Sequence, residues 1–141
     1  MKYSDEQRLQ KILDNAEKLL KYIKEHNVSK ADMLNDYSLQ WLVTTPLYNI
    51  GEHVYKLSDE LKAAHDEIPW LMISGLRHRL VHDYDGTNWS IIAEVVFEEL
   101  PHWQNRLRNY CSIIYMSIFM YWKISHSIFA CKPKYYGVLL T

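Results

Sequence analysis

Apolar residues recur at intervals of three and four along most of the chain, the spacing of one face of an α-helix. The first such run consists of Leu9, Ile12, Leu13, Ala16, Leu19, Leu20 and Ile23. Ser4 and Gln7 before it have the spacing of a capping box. The pattern therefore predicts a first helix from about Ser4 to His26, and Ser29 with Asp32 predicts a short helical turn after it.

The same spacing predicts further helices down to residue 110. They are a helix over 37–57 with a kink near Pro46, a turn capped by Ser58, a central helix from Pro69 to about His82, a helix capped by Asn88 and running to Leu100, and a last helix after an interruption at Pro101. Gly75 inside the central helix is tolerable if a neighbouring helix packs closely over it.

No segment alternates polar and apolar residues with a period of two, and no internal repeat occurs. The expected fold is all-α, an antiparallel bundle of four to five helices. At 141 residues, with 48% hydrophobic residues, the chain can close one core without metals or disulfides. Two cysteines and no recognisable signal peptide favour the cytoplasm.

Acidic residues are absent from the C-terminal part of the chain. Residues 1–99 carry 11 basic and 17 acidic groups, whereas residues 100–141 carry five basic groups and no acidic one. We therefore expect a helical domain over residues 1–110 and an apolar extension over 111–141. Lys123 and His126 argue against a membrane span. The extension is then a last helix buried in the bundle or a dimer seam, an interfacial anchor, or an out-of-frame tail.

Polar chemistry concentrates at the end of the central helix. Arg77, His78, Arg79, His82, Asp83 and Tyr84 lie within eight residues. On an ideal helix Arg77 and His82 are about 140° apart, and the turn residues after Asp83 predict that the helix ends there, which would let them converge. Arginine binds phosphate through its planar fork, and histidine exchanges protons near neutral pH. Such a pair suits metal-independent cleavage of RNA, but cations at a helix C-terminus also simply favour its dipole.

The run Arg77, four residues, His82, one residue, Tyr84 resembles the motif of the HepT toxins in the HEPN (higher eukaryotes and prokaryotes nucleotide-binding) superfamily. Flanking matches follow in the familiar order over about residues 5–110: Ile50-Gly51-Glu52, Leu57-Ser58, Ile68-Pro69-Trp70, Gly75-Leu76-Arg77, His82-Asp83-Tyr84 and Glu99-Leu100-Pro101. The family usually has a small polar residue, often Asn, after the arginine, whereas this chain has His78.

The resemblance implies a HEPN-like bundle that forms a homodimer, with the two motifs meeting in a cleft. It also implies a ribonuclease toxin without a metal or other cofactor, in which Arg77 and His82 are catalytic. Its partner would be a minimal nucleotidyltransferase antitoxin, which can transfer AMP to Tyr84. The alternative is a catalytically silent HEPN module that binds a nucleotide or its nucleotidyltransferase partner.

Other residues have less certain roles on the sequence alone. His78 and His82 have the spacing of a two-histidine metal grip but lack a third ligand, so His78 is expected to orient Arg77 or RNA. Glu52 either orients Arg77 or His78, or is a solvated or capping carboxylate. His53 is expected at a surface or interface.

A basic surface for RNA would have to come from Arg77, Arg79, Arg106 and Arg108. The rest of the domain is acidic on balance. So small a patch suits a nuclease with a chosen RNA substrate better than a protein that coats RNA.

Overall fold

A computed structural model describes residues 2–82 and 86–125, without the side chains of residues 82, 121, 122, 124 and 125. All regular elements in these residues are helical, which confirms the all-α prediction. They are α1 (Asp5–Glu25), α2 (Lys30–Asn35), α3 (Tyr37–Tyr55), α4 (Asp59–Ala64), α5 (Trp70–His82), α6 (Trp89–Glu94), a π-helical turn (Val95–Glu99) and α7 (Leu100–Ser125). Asp83, Tyr84 and Asp85 lie outside the described residues.

The predicted helix starts are confirmed where a side chain caps them. Ser4 and Gln7 form a reciprocal capping box at the start of α1, and Ser29 and Asp32 form another at α2. Ser58 caps α4, and its backbone N–H and hydroxyl both donate to Asp5. That link joins the beginning of α4 to the beginning of α1.

Pro101 does not interrupt the helix, although the sequence predicted an interruption there. The helix that begins at Trp89 passes through the π-helical turn directly into α7, and the Leu100 N–H donates to the Val95 carbonyl. Proline has no N–H for the carbonyl four residues earlier and crowds it, and a widened turn just before Pro101 relieves both problems. Likewise, α3 is one helix that contains Pro46.

A neighbouring helix packs closely over Gly51 in α3, not over Gly75 as the sequence suggested. A Cβ added at Gly51 would lie 2.9 Å from the Arg77 backbone nitrogen and 3.1 Å from the Ile73 carbonyl oxygen of α5. A Cβ at Gly75 would have nothing within 4 Å. Gly51 therefore sets how closely α3 and α5 pack, while Gly75 lies on an open side of α5.

The core is built from the apolar stripes of α1, α3, α5 and the helix that follows Asn88. Its largest fully buried side chains are Leu9, Ile12, Met33, Val43, Leu47, Ile50, Ile73, Leu76, Leu80, Ile92, Leu100 and Leu107. Trp70 and Trp103 are also buried, whereas Trp41 is 60% exposed. The four long helical segments of the described chain thus share one core.

The chain divides into two compact units between Cys111 and Ser112. In the second unit α7 continues to Ser125, and Ile113, Met116 and Ile118 on it are exposed. Among the described residues no helix is long and apolar enough to cross a membrane. The three roles expected for the extension over residues 111–141, namely a buried last helix, an interfacial anchor or an out-of-frame tail, stay predictions.

Adding a methyl group at Gly51 should destabilise the fold. We expect Gly51→Ala to lower the free energy of unfolding by about 1–3 kcal/mol, the usual cost of overpacking, because the added Cβ meets backbone that cannot rotate away. Denaturant unfolding followed by circular dichroism measures the change. Gly75→Ala is the matched control: the same substitution in open space should keep or raise stability by up to about 1 kcal/mol. Equal effects at both positions would contradict the close approach at Gly51.

Candidate active site

Arg77 extends from α5 toward α3 and is held there by Glu52. The Arg77 Nη1 lies 3.0 Å from Glu52 Oε2, and the two side chains are 32% and 22% exposed. Gly51 precedes Glu52 and touches the Arg77 backbone, so the helix contact also brings these two side chains together. The orienting contact expected of Glu52 is therefore present, and it goes to Arg77.

Tyr55 is a second residue that fixes Arg77, and the sequence interpretation missed it. The guanidinium carbon lies 3.6 Å from the centre of the Tyr55 ring, a cation–π stack. Tyr55 follows Glu52 by three residues, so both lie on neighbouring positions of one side of α3. That spacing was the available signal, but it has no meaning until α3 is known to face Arg77.

Glu52 is shared between two cations. Its Oε1 lies 2.6 Å from Lys56 Nζ, while Oε2 binds Arg77. The Lys56 hydrogen bond, with a smaller contribution from Arg77, holds the pKa of Glu52 below its usual value against the opposing effect of burial. One carboxylate therefore orients two cations without neutralising both, and positive charge remains for an anionic ligand.

Arg77 and His82 lie on different sides of α5. The helix continues through His82 instead of ending between the two residues, so their backbone positions remain about 140° apart. The expected convergence of the two side chains involves His82 atoms outside the described residues, so it stays a prediction. Leu71, Gly75, His78 and His82 fall instead within about 60° of one another and form one stripe, which we call the α5 stripe.

The α5 stripe is open in its described part. Leu71 is 87% exposed, Gly75 has free space above it, and His78 is exposed. Met72 and Val81 beside the stripe are 44% and 52% exposed. The His82 side chain and Tyr84 lie outside the described residues, so their expected roles stay predictions.

Two of the arginines expected to form a basic surface are engaged elsewhere. Arg108 pairs with Glu17 at 2.8 Å, and Arg106 donates to the Glu67 carbonyl oxygen at 2.7 Å. Arg79 lines a cleft of about 200 Å³ with Gly86, Thr87, Asn88, Ile91 and Ile92. The basic surface predicted from these arginines is thus largely committed to contacts within the protein.

A different set of cations surrounds His53, which was expected at a surface or interface and is partly buried in the described structure. Its Nδ1 is buried and has no hydrogen-bond partner within the described structure. Burial, followed by the charges of Arg8, Lys11 and Lys56, lowers the pKa of His53, and only Glu52 opposes them. No group of three or more His, Cys, Asp or Glu residues within 2–82 and 86–125 could hold a metal ion.

Comparison with known proteins supplies the family. Residues 12–110 match the family model described as "Ribonuclease HepT-like". The chain belongs to the HepT-like family of the HEPN superfamily. The matched residues include Glu52, Tyr55, Arg77 and His82, and the C-terminal extension lies beyond them.

Individual relatives are similar over most of their length. A protein of Caldanaerobacter subterraneus subsp. tengcongensis named "Putative RNase TTE0752" is 33% identical over 101 residues, which are 72% of this chain and 88% of that protein. A Thermococcus cleftensis protein named "Probable ribonuclease HepT" is 30% identical over 101 residues, which are 72% of this chain and 90% of that protein. No solved structure matches significantly.

Proposed function

We propose that this HepT-like protein is a metal-independent endoribonuclease whose active site contains Arg77 and His82. The observation that carries the proposal is the fixed guanidinium of Arg77, bound by Glu52 and stacked on Tyr55. A donor fork held in place before substrate arrives stabilises charge on phosphorus without reorganisation. The names of the relatives support RNA as the substrate.

The proposed reaction is transesterification within RNA. The 2′-hydroxyl transfers its proton to a neutral His82 imidazole, and its oxygen attacks the adjacent phosphorus. The bond from phosphorus to the 5′-oxygen breaks, and that oxygen takes the proton from the His82 imidazolium formed in the first step. Arg77 stabilises the negative charge on the non-bridging oxygens. The products are a 2′,3′-cyclic phosphate and a free 5′-hydroxyl, and no oxidation state changes.

We propose a homodimer as the active form. Arg77 and His82 lie on different sides of α5, so a second copy packed on the α5 stripe would bring the two motifs near each other. The exposed Leu71, Met72 and Val81 supply apolar surface for such a contact.

RNA cleavage in the presence of EDTA tests the catalytic proposal. The wild-type protein should cleave single-stranded RNA and leave cyclic phosphate ends, detected by mass spectrometry. Arg77→Ala and His82→Ala should each reduce the rate by at least about 100-fold, since each removes one transition-state contribution. Glu52→Gln should cause a smaller loss, because Tyr55 still positions Arg77.

His26→Ala, an exposed histidine at the end of α1, is the matched control and should retain full activity. Intact RNA with the folded wild-type protein would reject the ribonuclease. That result would favour the catalytically silent module, which binds a nucleotide or a nucleotidyltransferase.

Charge on the α5 stripe should disrupt the dimer. We expect Leu71→Arg to shift the mass in light scattering from twice the chain mass to 16.9 kDa and to remove RNA cleavage with it. Burying two unpaired guanidinium groups in an apolar seam is strongly unfavourable. Trp41→Arg changes another exposed apolar side chain, on α3, and should leave a dimer. A dimer in the Leu71→Arg variant and a monomer in the Trp41→Arg variant would indicate that the interface lies on α3.

We also propose that the protein is a toxin neutralised by a minimal nucleotidyltransferase, which attaches AMP to Tyr84. A phosphodiester on this phenol would add negative charge and bulk two residues from His82, where the RNA phosphate must lie. Coexpression with the nucleotidyltransferase should add AMP mass to a peptide containing Tyr84 and stop RNA cleavage. Tyr84→Phe should prevent the mass gain, and unchanged modification in that variant would exclude Tyr84 as the target.

A further inference from the structure

A cluster of cations lies where α1 packs against α3, outside the Arg77 and His82 motif. It consists of three cations that face the His53 imidazole, namely Arg8 and Lys11 on α1 and Lys56 just after α3, and we call it the α1–α3 basic cluster. The Arg8 guanidinium lies 5.7 Å and the Lys11 ammonium 4.8 Å from the Tyr3 ring centre. The Tyr3 and His53 ring centres are 5.9 Å apart.

Arg8 carries an uncompensated charge. The residue as a whole is only 8% exposed, its guanidinium lies over the Tyr3 ring, and it forms no ion pair within the described residues. Among the described residues, the buried side-chain nitrogens without a hydrogen-bond partner belong to His53 and Trp103, so solvent still reaches the Arg8 guanidinium and its N–H groups can donate to an anion. The Tyr3 ring holds the guanidinium by its face and leaves the N–H donors available.

The charges near Arg8 and His53 are mostly positive. Lys11 has no ion pair in the described structure, and Asp5, the carboxylate one turn before Arg8, accepts from Ser58 instead. The charged groups that face His53 are Arg8 and Lys11 from α1 with Lys56 and Glu52 from α3. Three cations therefore oppose one carboxylate, although residues 1–99 are acidic on balance.

The cluster adjoins the candidate active site. Lys56 Nζ lies 2.6 Å from Glu52 Oε1, and Glu52 Oε2 lies 3.0 Å from Arg77 Nη1. A strand that places one phosphate at Arg77 would thus meet further cations across the end of α3. Phosphate contacts of this kind fix the position of a nucleic acid without reading its sequence.

We propose that the α1–α3 basic cluster binds a backbone phosphate of the RNA strand next to the phosphate held at Arg77. The inference rests on the proposed ribonuclease function and adds a substrate-binding role for Arg8 and Lys11. Both residues precede the span matched by the family model. The chemistry recognised is a phosphate ester, so a free nucleotide phosphate is the competing source.

RNA binding by the uncleaving His82→Ala protein tests the site apart from catalysis. Fluorescence anisotropy with a labelled single-stranded RNA would be measured in EDTA over a range of salt. Adding Lys11→Gln should weaken binding several-fold at low salt and reduce the slope of log affinity against log salt by about 0.7, the value for one single-strand phosphate contact. Lys11→Arg should restore both.

Lys24→Gln is the matched control, because it removes the same charge from an exposed position near the other end of α1. It should leave affinity and slope unchanged. Equal effects at Lys11 and Lys24, or no effect at Lys11, would overturn the proposal. Arg8→Gln should also weaken binding, and Lys11→Gln keeps the test decisive if the Arg8 variant does not fold.

Two further outcomes distinguish RNA from a free nucleotide as the ligand, and the phosphate site from the ribonuclease activity. AMP binding that Lys11→Gln abolishes, with RNA affinity unchanged, would overturn the RNA site in favour of a nucleotide site. In the cleaving protein, Lys11→Gln should raise KM several-fold with kcat nearly unchanged. RNA bound through Lys11 but never cleaved by the wild-type protein would reject the ribonuclease and support the phosphate site.

Discussion

The contact of α5 with Gly51 is the constraint on which the candidate site depends. Because Gly51 has no side chain, the Arg77 backbone approaches α3 closely enough that a Cβ there would lie 2.9 Å from the Arg77 nitrogen. The Arg77 side chain then begins beside α3. There it meets Glu52, the residue after Gly51, and Tyr55, which lies one helical turn beyond Gly51. The contact that packs two helices of the core therefore also fixes the guanidinium, so loss of packing and loss of the site are coupled.

Cations outnumber carboxylates at the candidate site, which distinguishes it from ordinary surface ion pairs. Lys30 is bound by both Glu94 and Glu98, so its charge is outweighed, and such exposed pairs contribute little to stability. At Glu52 the ratio is reversed, since one carboxylate serves Lys56 and Arg77. An excess of positive charge costs some stability through repulsion, and a polyanionic ligand would remove that cost.

Local signals in the sequence predicted local structure well. The capping boxes at Ser4 and Ser29 specify helix starts through hydrogen bonds three residues away, so they needed no knowledge of the fold. The sequence interpretation missed the roles of Gly51 and Tyr55. It also wrongly predicted that the helix is interrupted at Pro101. The roles of Gly51 and Tyr55 depend on which helix lies opposite, and the widened turn before Pro101 depends on how the chain relieves a local clash. The spacing of residues along one segment shows neither which helix lies opposite nor how the chain relieves a clash.

An acidic protein that acts on RNA must confine its positive charge to a short path. Residues 1–99 carry 17 acidic and 11 basic groups, and basic residues such as Arg108 are already paired. Few phosphate contacts give modest affinity with a shallow salt dependence. Binding then depends on where those contacts lie. Arg8 and Lys11 across the end of α3 from Arg77 would orient the strand and leave the distant surface free of RNA.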